Sequence, residues 1–145
     1  MWHFINWHEV TRSVKSLQVR LAKAVQAKQW HKVRKLQWLV THNFGAKLLA
    51  VKRVTQNAGK RTSGIDGVTW TTAADKHKAA QKLRLKGYKP KAVRRIYIPK
   101  SNGKKRPLGI PTLHDRAMQA LHLIGLDPVS ESTGDPNSYG FRPHR

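Results

Sequence analysis

Lys100, Lys104 and Arg106 are the residues of this chain best placed to hold a polyphosphate. They lie in the stretch Arg94 to Arg116, RRIYIPKSNGKKRPLGIPTLHDR. Arg offers phosphate oxygens a planar fork, and Lys offers a mobile point charge. To act on one ligand, the cations must share one face of one element. Ile96 and Ile98 alternate with Arg95, Tyr97 and Pro99, and Leu108 and Ile110 alternate with Pro107 and Gly109. That is the period of paired strands, and Asn102-Gly103 between them marks a hairpin turn. A two-residue loop would put Leu108 on the face of Tyr97 and Ile110 on that of Arg95. A three-residue loop, Ser101 to Gly103 with Gly103 left-handed, puts Ile96, Ile98, Leu108 and Ile110 together. Burial selects the second, because a slip of one residue inverts every side chain. The same register sets Lys100, Lys104 and Arg106 along the apolar face, at its open end. This cationic ledge suits a polyphosphate or a nucleic-acid backbone. An ordinary solvated hairpin tip, with Lys105 beside it, has the same composition.

Other chemistry is poorly supported. His8-Glu9 begins like a zinc-protease pattern, but Arg12 holds the position of the second histidine. The remaining histidines are scattered, and cysteine is absent. Gly59-Lys60 lacks the upstream glycine spacing and the strand of a phosphate loop. Asp66 sits in a glycine loop, and Asp115 in a helix first turn where the macrodipole accounts for it. No two carboxylates pair for acid–base or two-metal work. The tryptophans at 2, 7, 30, 38 and 70 suit helix packing, and also suit stacking on bases.

Charge narrows the partner. Among 145 residues, 29 Lys and Arg face 7 Asp and Glu, for a net charge of +22. No acid occurs between residues 10 and 65, nor between 76 and 114. Such a chain repels itself and meets a polyanion, with nucleic acid the default. No apolar run is long enough to span a membrane, and no signal peptide is evident. The lack of cysteine agrees with a reducing cytoplasm.

The elements that must position these residues make an α+β chain. Asn6 and Glu9 resemble a capping box, with Ile5 and Val10 set for a hydrophobic staple. Val10, Val14, Leu17, Leu21 and Val25 follow helical spacing, with Arg12, Lys15, Arg20 and Lys23 largely off that stripe. After a break near Lys28 to Trp30, the spacing predicts a second helix from about Val33 to Val51. Gly45 would bend it or mark a packing contact. The two helices should form an αα-hairpin with Lys32, Arg34, Lys35, Lys47, Lys52 and Arg53 turned outward. Asn57 to Gly67 is a glycine-rich loop carrying Lys60 and Arg61. A third helix is expected from about Thr72 to Lys86, ended by Gly87. A fourth is expected from about Leu113 to Leu126, with Pro128 after its end and Gly125 loosening its last turn. A polar, loop-like tail follows from Asp127 to Pro136. Asn137 to Arg145 reads as the opening of another element, with strand-like Tyr139 to Arg142.

VRKLQWLVTHNFGAKLLAVKRVTQNAGKRTSGIDGV, RRIYIPKSNGKKRPLGIPTLHDRAMQALH and NSYGFRPHR follow one another in order. Together they resemble the N-terminal part of a bacterial group II intron-encoded reverse transcriptase, or maturase, over nearly the whole chain from Trp7. The resemblance implies a basic helical extension with its glycine loop in residues 1–71. It implies part of the fingers of a polymerase right hand, stopping before the palm, in residues 72–145. It gives Lys100 and Arg106 the triphosphate of the incoming nucleotide. It puts Arg142 near the template and the loop Gly59 to Gly67 over the template. It makes the basic helices a grip on intron RNA. The family's metal-binding aspartates lie further downstream, so this chain is expected to be a piece of a longer protein and inactive alone. It would bind no cofactor itself, with Mg2+ expected for the full-length polymerase. Template-primer and DNA target would be further partners there. The implied role is RNA splicing and intron mobility, in a cytoplasmic ribonucleoprotein. The alternative is a free-standing basic RNA-binding protein that structures an RNA without polymerase activity.

Overall fold

The computed structural model describes residues 2–133. Among them are α1 (Trp7–Gln26), α2 (Trp30–His42), α3 (Phe44–Gln56) and α4 (Ala73–Gln81). A hairpin of β1 (Arg94–Pro99) and β2 (Lys105–Ile110) follows, and then α5 (Leu113–Thr133). The architecture is α+β, as the spacing implied. Tyr139 to Arg142 lie outside the described residues.

Local signals set the start and end of α1. The Asn6 side chain accepts the Glu9 backbone N–H at 3.2 Å, which is half of the expected capping box. At the other end Lys28 is left-handed, with φ 57°. There the N–H groups of Lys28 and Gln29 donate to the carbonyls of Val25 and Ala24, each at 3.0 Å. This is a Schellman closure with lysine in the glycine position. Leu21, Ala24 and Val25 then pack with Val33 and Leu36 of α2.

The predicted second helix is in fact two. Asn43 is extended, with φ −72° and ψ 127°, and its side chain accepts the Ala46 N–H. A short amide that caps the next turn competes with helix continuation. The break therefore falls at Asn43, while Gly45 is a packing contact. A Cβ on Gly45 would lie 3.3 Å from Val10 Cγ1. Only α2 completes the expected αα-hairpin. In α3, Ala46, Leu48, Ala50, Val51 and Val54 are all buried, in one core with Leu113, Ala117, Met118 and Leu121 of α5.

Two further boundaries differ from expectation. Thr72 and Asp75 form a reciprocal capping box at the start of α4. The helix stops at Gln81 rather than Lys86, because fully buried Leu83 and half-buried Leu85 both reach the core. Positions two apart diverge on a helix but not on a peeled, extended chain. Gly87, with φ 74°, instead serves the turn from Leu85 to Tyr88. At the far end, α5 runs through Pro128 to Thr133. Pro128 has no N–H for the Ile124 carbonyl one turn back. Gln18 of α1 supplies the missing donor, its side-chain amide reaching that carbonyl at 2.9 Å. Gly125 does not loosen this turn. It is buried, and a Cβ there would meet Thr41 Cγ2 at 3.0 Å.

Candidate nucleic-acid interface

The hairpin holds the ledge in the expected register. Ile96 pairs with Leu108 and Ile98 with Arg106. The Lys100 N–H donates to the Lys104 carbonyl, and the Gly103 N–H to the Lys100 carbonyl. Gly103 is left-handed at φ 80°, so the loop is the three-residue one. Alternation then sets Lys100, Lys104 and Arg106 on the face of Ile96, Ile98, Leu108 and Ile110. All three cations are exposed. Asn102 Oδ1 accepts the Lys104 N–H at 3.1 Å, which stiffens the tip.

The apolar face is less covered than expected. Ile110 is 8% exposed, but Leu108 is 36% exposed, and Ile96 and Ile98 are half-buried. Among the described residues the sheet has two strands, and their main contacts are with each other. Among the described residues, the face is buried only at its base.

Arginines clamp the loop from Asn57 to Gly67 at that base. Arg116 donates from Nε to the Pro111 carbonyl, from Nη1 to that of Gly59, and from Nη2 to that of Thr62. Arg94 Nε donates to the Ser63 carbonyl at 3.0 Å. Gly64 passes so close that a Cβ would lie 2.5 Å from Thr112 Cα. Lys60 and Arg61 are thus presented, exposed, on a pinned loop. Arg116 carries one signal in the sequence: a cation in the first turn of a helix opposes the macrodipole.

Asp115 does more than complement a dipole. It is 3% exposed, and it accepts hydrogen bonds from the Tyr88 hydroxyl and, at 2.9 Å, from the Lys91 N–H. Burial, and then this carboxylate, push the Tyr88 hydroxyl pKa upward. Burial pushes the pKa of neighbouring His114 downward, against the pull of Asp115. Arg84, Lys91 and these residues line a cavity of about 380 Å³ along the segment that leads into the hairpin.

The helical cations divide. Arg12, Lys15, Arg20 and Lys23 are exposed on the side of α1 away from Val14, Leu21 and Val25. Lys32, Arg34 and Lys35 of α2 and Arg53 of α3 are also exposed. Lys47 and Lys52 are half-buried on the inner helix α3, a correction to their outward placement. Burial, then nearby Arg84, lowers the Lys47 pKa. Lys52 Nζ sits 4.4 Å from the centre of the Trp7 ring, so part of its role is packing. Trp2 packs edge-on against Trp7 at 4.9 Å. Arg142 lies outside the described residues.

This helical body with its cation-tipped hairpin belongs to a known class. Residues 2–83 match the family model described as the N-terminal domain of reverse transcriptase. The chain belongs to that family, as the N-terminal region of a group II intron reverse transcriptase/maturase. It is 43% identical over 104 residues to Protein YkfC of Escherichia coli, covering 68% of this chain and 27% of that one. It is 39% identical over 100 residues to Group II intron-encoded protein LtrA of Lactococcus lactis subsp. cremoris, covering 67% of this chain and 17% of that one. It is 30% identical over 139 residues to Maturase-like protein 1 of Euglena gracilis, covering 94% of this chain and 30% of that one. The chain thus spans less than a third of the length of these relatives. Among the described residues, no helix is long and apolar enough to cross a membrane.

Proposed function

We propose that this chain grips intron RNA with its helices and faces the phosphates of an incoming nucleotide with its hairpin. The exposed cations of α1 and α2, with Arg53, Lys60 and Arg61, neutralise RNA phosphates. Lys100 acts on the triphosphate as a point charge and Arg106 as a fork, with Lys104 beside them. The loop from Gly59 to Gly67 lies over the template, and Arg142 lies near it. Residues 1–71 form the RNA-binding extension and residues 72–145 the partial fingers. The whole protein assists splicing, and copies intron RNA into DNA, as a cytoplasmic ribonucleoprotein acting on template-primer and target DNA. The observation that carries this reading is the shared face of Lys100, Lys104 and Arg106, in a family member of net charge +22.

Nucleotidyl transfer by a reverse transcriptase needs Mg2+ held by carboxylates. Among the described residues, no group of three or more His, Cys, Asp or Glu could hold a metal ion. These residues do not fit that role, and this chain alone is proposed to make no DNA.

Titrating a structured intron RNA against the chain over a range of salt tests the reading. Counterion release predicts a log–log slope of about −0.7 to −0.9 per phosphate neutralised. The combined variant Lys32→Ala, Arg34→Ala, Lys35→Ala should flatten that slope with little change in fold. Unchanged affinity at every salt concentration rejects the helical grip. Equal affinity for an unrelated duplex of the same length favours a generic basic protein. In a longer chain with polymerase activity, Arg106→Ala should weaken nucleotide use on the order of ten- to a hundredfold. Intron-RNA affinity should stay nearly unchanged there, and Arg106→Lys should rescue only in part.

A further inference from the structure

Three of the five tryptophans are used in packing: Trp2 is buried in the core, and Trp7 and Trp70 pack against it. The other two are not. Trp30 is 51% exposed and Trp38 is 59% exposed, and both lie on α2. Trp30, Arg34, Trp38 and His42 recur every fourth residue along that helix. They form one ridge, with successive members about 6 Å apart along the axis. Each presents a flat group: indole, guanidinium, indole, imidazole. The ridge lies away from Val33, Leu36 and Val40, which bury the opposite side of the helix.

Part of the ridge is already stacked. The Trp38 and His42 rings lie 4.1 Å apart and 16° from parallel. His42 Nδ1 is 2.8 Å from the Trp38 carbonyl. A carbonyl only accepts, so that nitrogen carries the proton. That bond orients the imidazole, and the imidazole packs flat against one face of the indole. A ring held in place loses little freedom when a ligand stacks on it.

We infer that the Trp30–Arg34–Trp38–His42 ridge is a stacking platform for the unpaired bases of a single-stranded RNA segment. The inference rests on the RNA-binding reading and deepens it. Indole faces and guanidinium planes take splayed bases, and they do so only where bases are unstacked. Charge selects this occupant over a protein surface. No acid lies between residues 10 and 65, while Lys35, three residues before Trp38 on the same helix, flanks the ridge and can meet the accompanying phosphates. The basic helices thus divide the work: cations hold the backbone of any strand, and the ridge distinguishes unpaired from paired RNA.

The test compares an oligouridylate strand with a blunt RNA duplex of matched phosphate count, both binding the 145-residue chain. The double variant Trp30→Ala, Trp38→Ala should lose about five- to a hundredfold affinity for oligouridylate. Duplex affinity and both salt slopes should change by less than about twofold. Trp38→Phe, which keeps a flat ring, should recover part of the loss. Melting curves of the variants should overlay that of the parent, since both rings are exposed. If the parent binds neither probe, the RNA-binding reading itself falls. If the parent binds both and the double variant matches it, only the ridge falls. Equal loss on strand and duplex also overturns the platform. Loss of self-association with oligouridylate affinity intact would make the ridge a protein interface instead.

Discussion

The helical body and the hairpin carry the same charge on different foundations. In the body, exposed cations sit on helices whose other sides are buried, with Leu21, Val40, Val51 and Leu121 almost fully enclosed. In the hairpin, the cations cap a ribbon that, among the described residues, has two strands and is buried only at its base. Body cations can be lost singly with little structural consequence, because packing holds the helices. Hairpin cations depend on one register, held by a turn and a row of backbone bonds. An isolated two-stranded ribbon is marginal in water. The clamp at its base therefore bears on whether Lys100 and Arg106 face one ligand.

The sharpest test of this contrast sets a core leucine against a hairpin isoleucine. Leu121→Ala should destabilise the chain by about 2–5 kcal/mol in denaturant titration. Ile98→Ala, on a half-covered face, should cost about 1 kcal/mol or less. Equal losses would mean that the hairpin is packed as firmly as the body.

Next in size is the join between the regions. Arg116→Ala removes three charge-assisted bonds, two of them to carbonyls of the loop from Asn57 to Gly67. It should open residues 57–67 to hydrogen exchange by about 1.5–3 kcal/mol, with α1 and α2 unchanged. Slow exchange retained in that loop would show that Gly64 and Arg94 suffice to hold it.

The segment leading into the hairpin gives a pH-dependent test. Tyr88→Phe removes a hydrogen bond to buried Asp115, and should cost about 1–2 kcal/mol near neutral pH. Because the folded state raises the Tyr88 pKa, this tyrosine contributes fully below the ordinary tyrosine value of 10.0. Above that pH only the unfolded chain releases the proton, so stability falls as pH rises toward the folded pKa. The gap between wild type and Tyr88→Phe should therefore narrow in alkaline melts. A gap constant above pH 10 would separate the hydroxyl from Asp115.

The smallest effect concerns the body alone. Lys28→Gly relieves a left-handed lysine but frees the unfolded chain, for a net gain of about 0.5–1 kcal/mol. A fall in melting temperature would show that the Lys28 side chain holds the turn.

What the amino-acid sequence determined was local. The hairpin register follows from strand alternation and Asn102-Gly103, because a slip would invert every side chain. The Asn6 cap, the break near Lys28, and the apolar stripes of α1 and α2 arise within a few residues of one another. Asn43 was legible in principle, as a capping residue between two apolar runs, but the continuous stripe from Val33 to Val51 masked it. Tertiary structure decided the rest, through partners far apart in the chain. Gln18 reaches the Ile124 carbonyl across 106 positions and carries α5 past Pro128. Arg116 reaches Gly59 across 57 positions and turns a glycine loop into a pinned one. Leu83 peels from α4 to fill the core, and the hairpin face stays half-covered because no third strand pairs with it among the described residues. Spacing along a chain reports which face a side chain takes, but a distant donor or packing surface is fixed only when the elements dock.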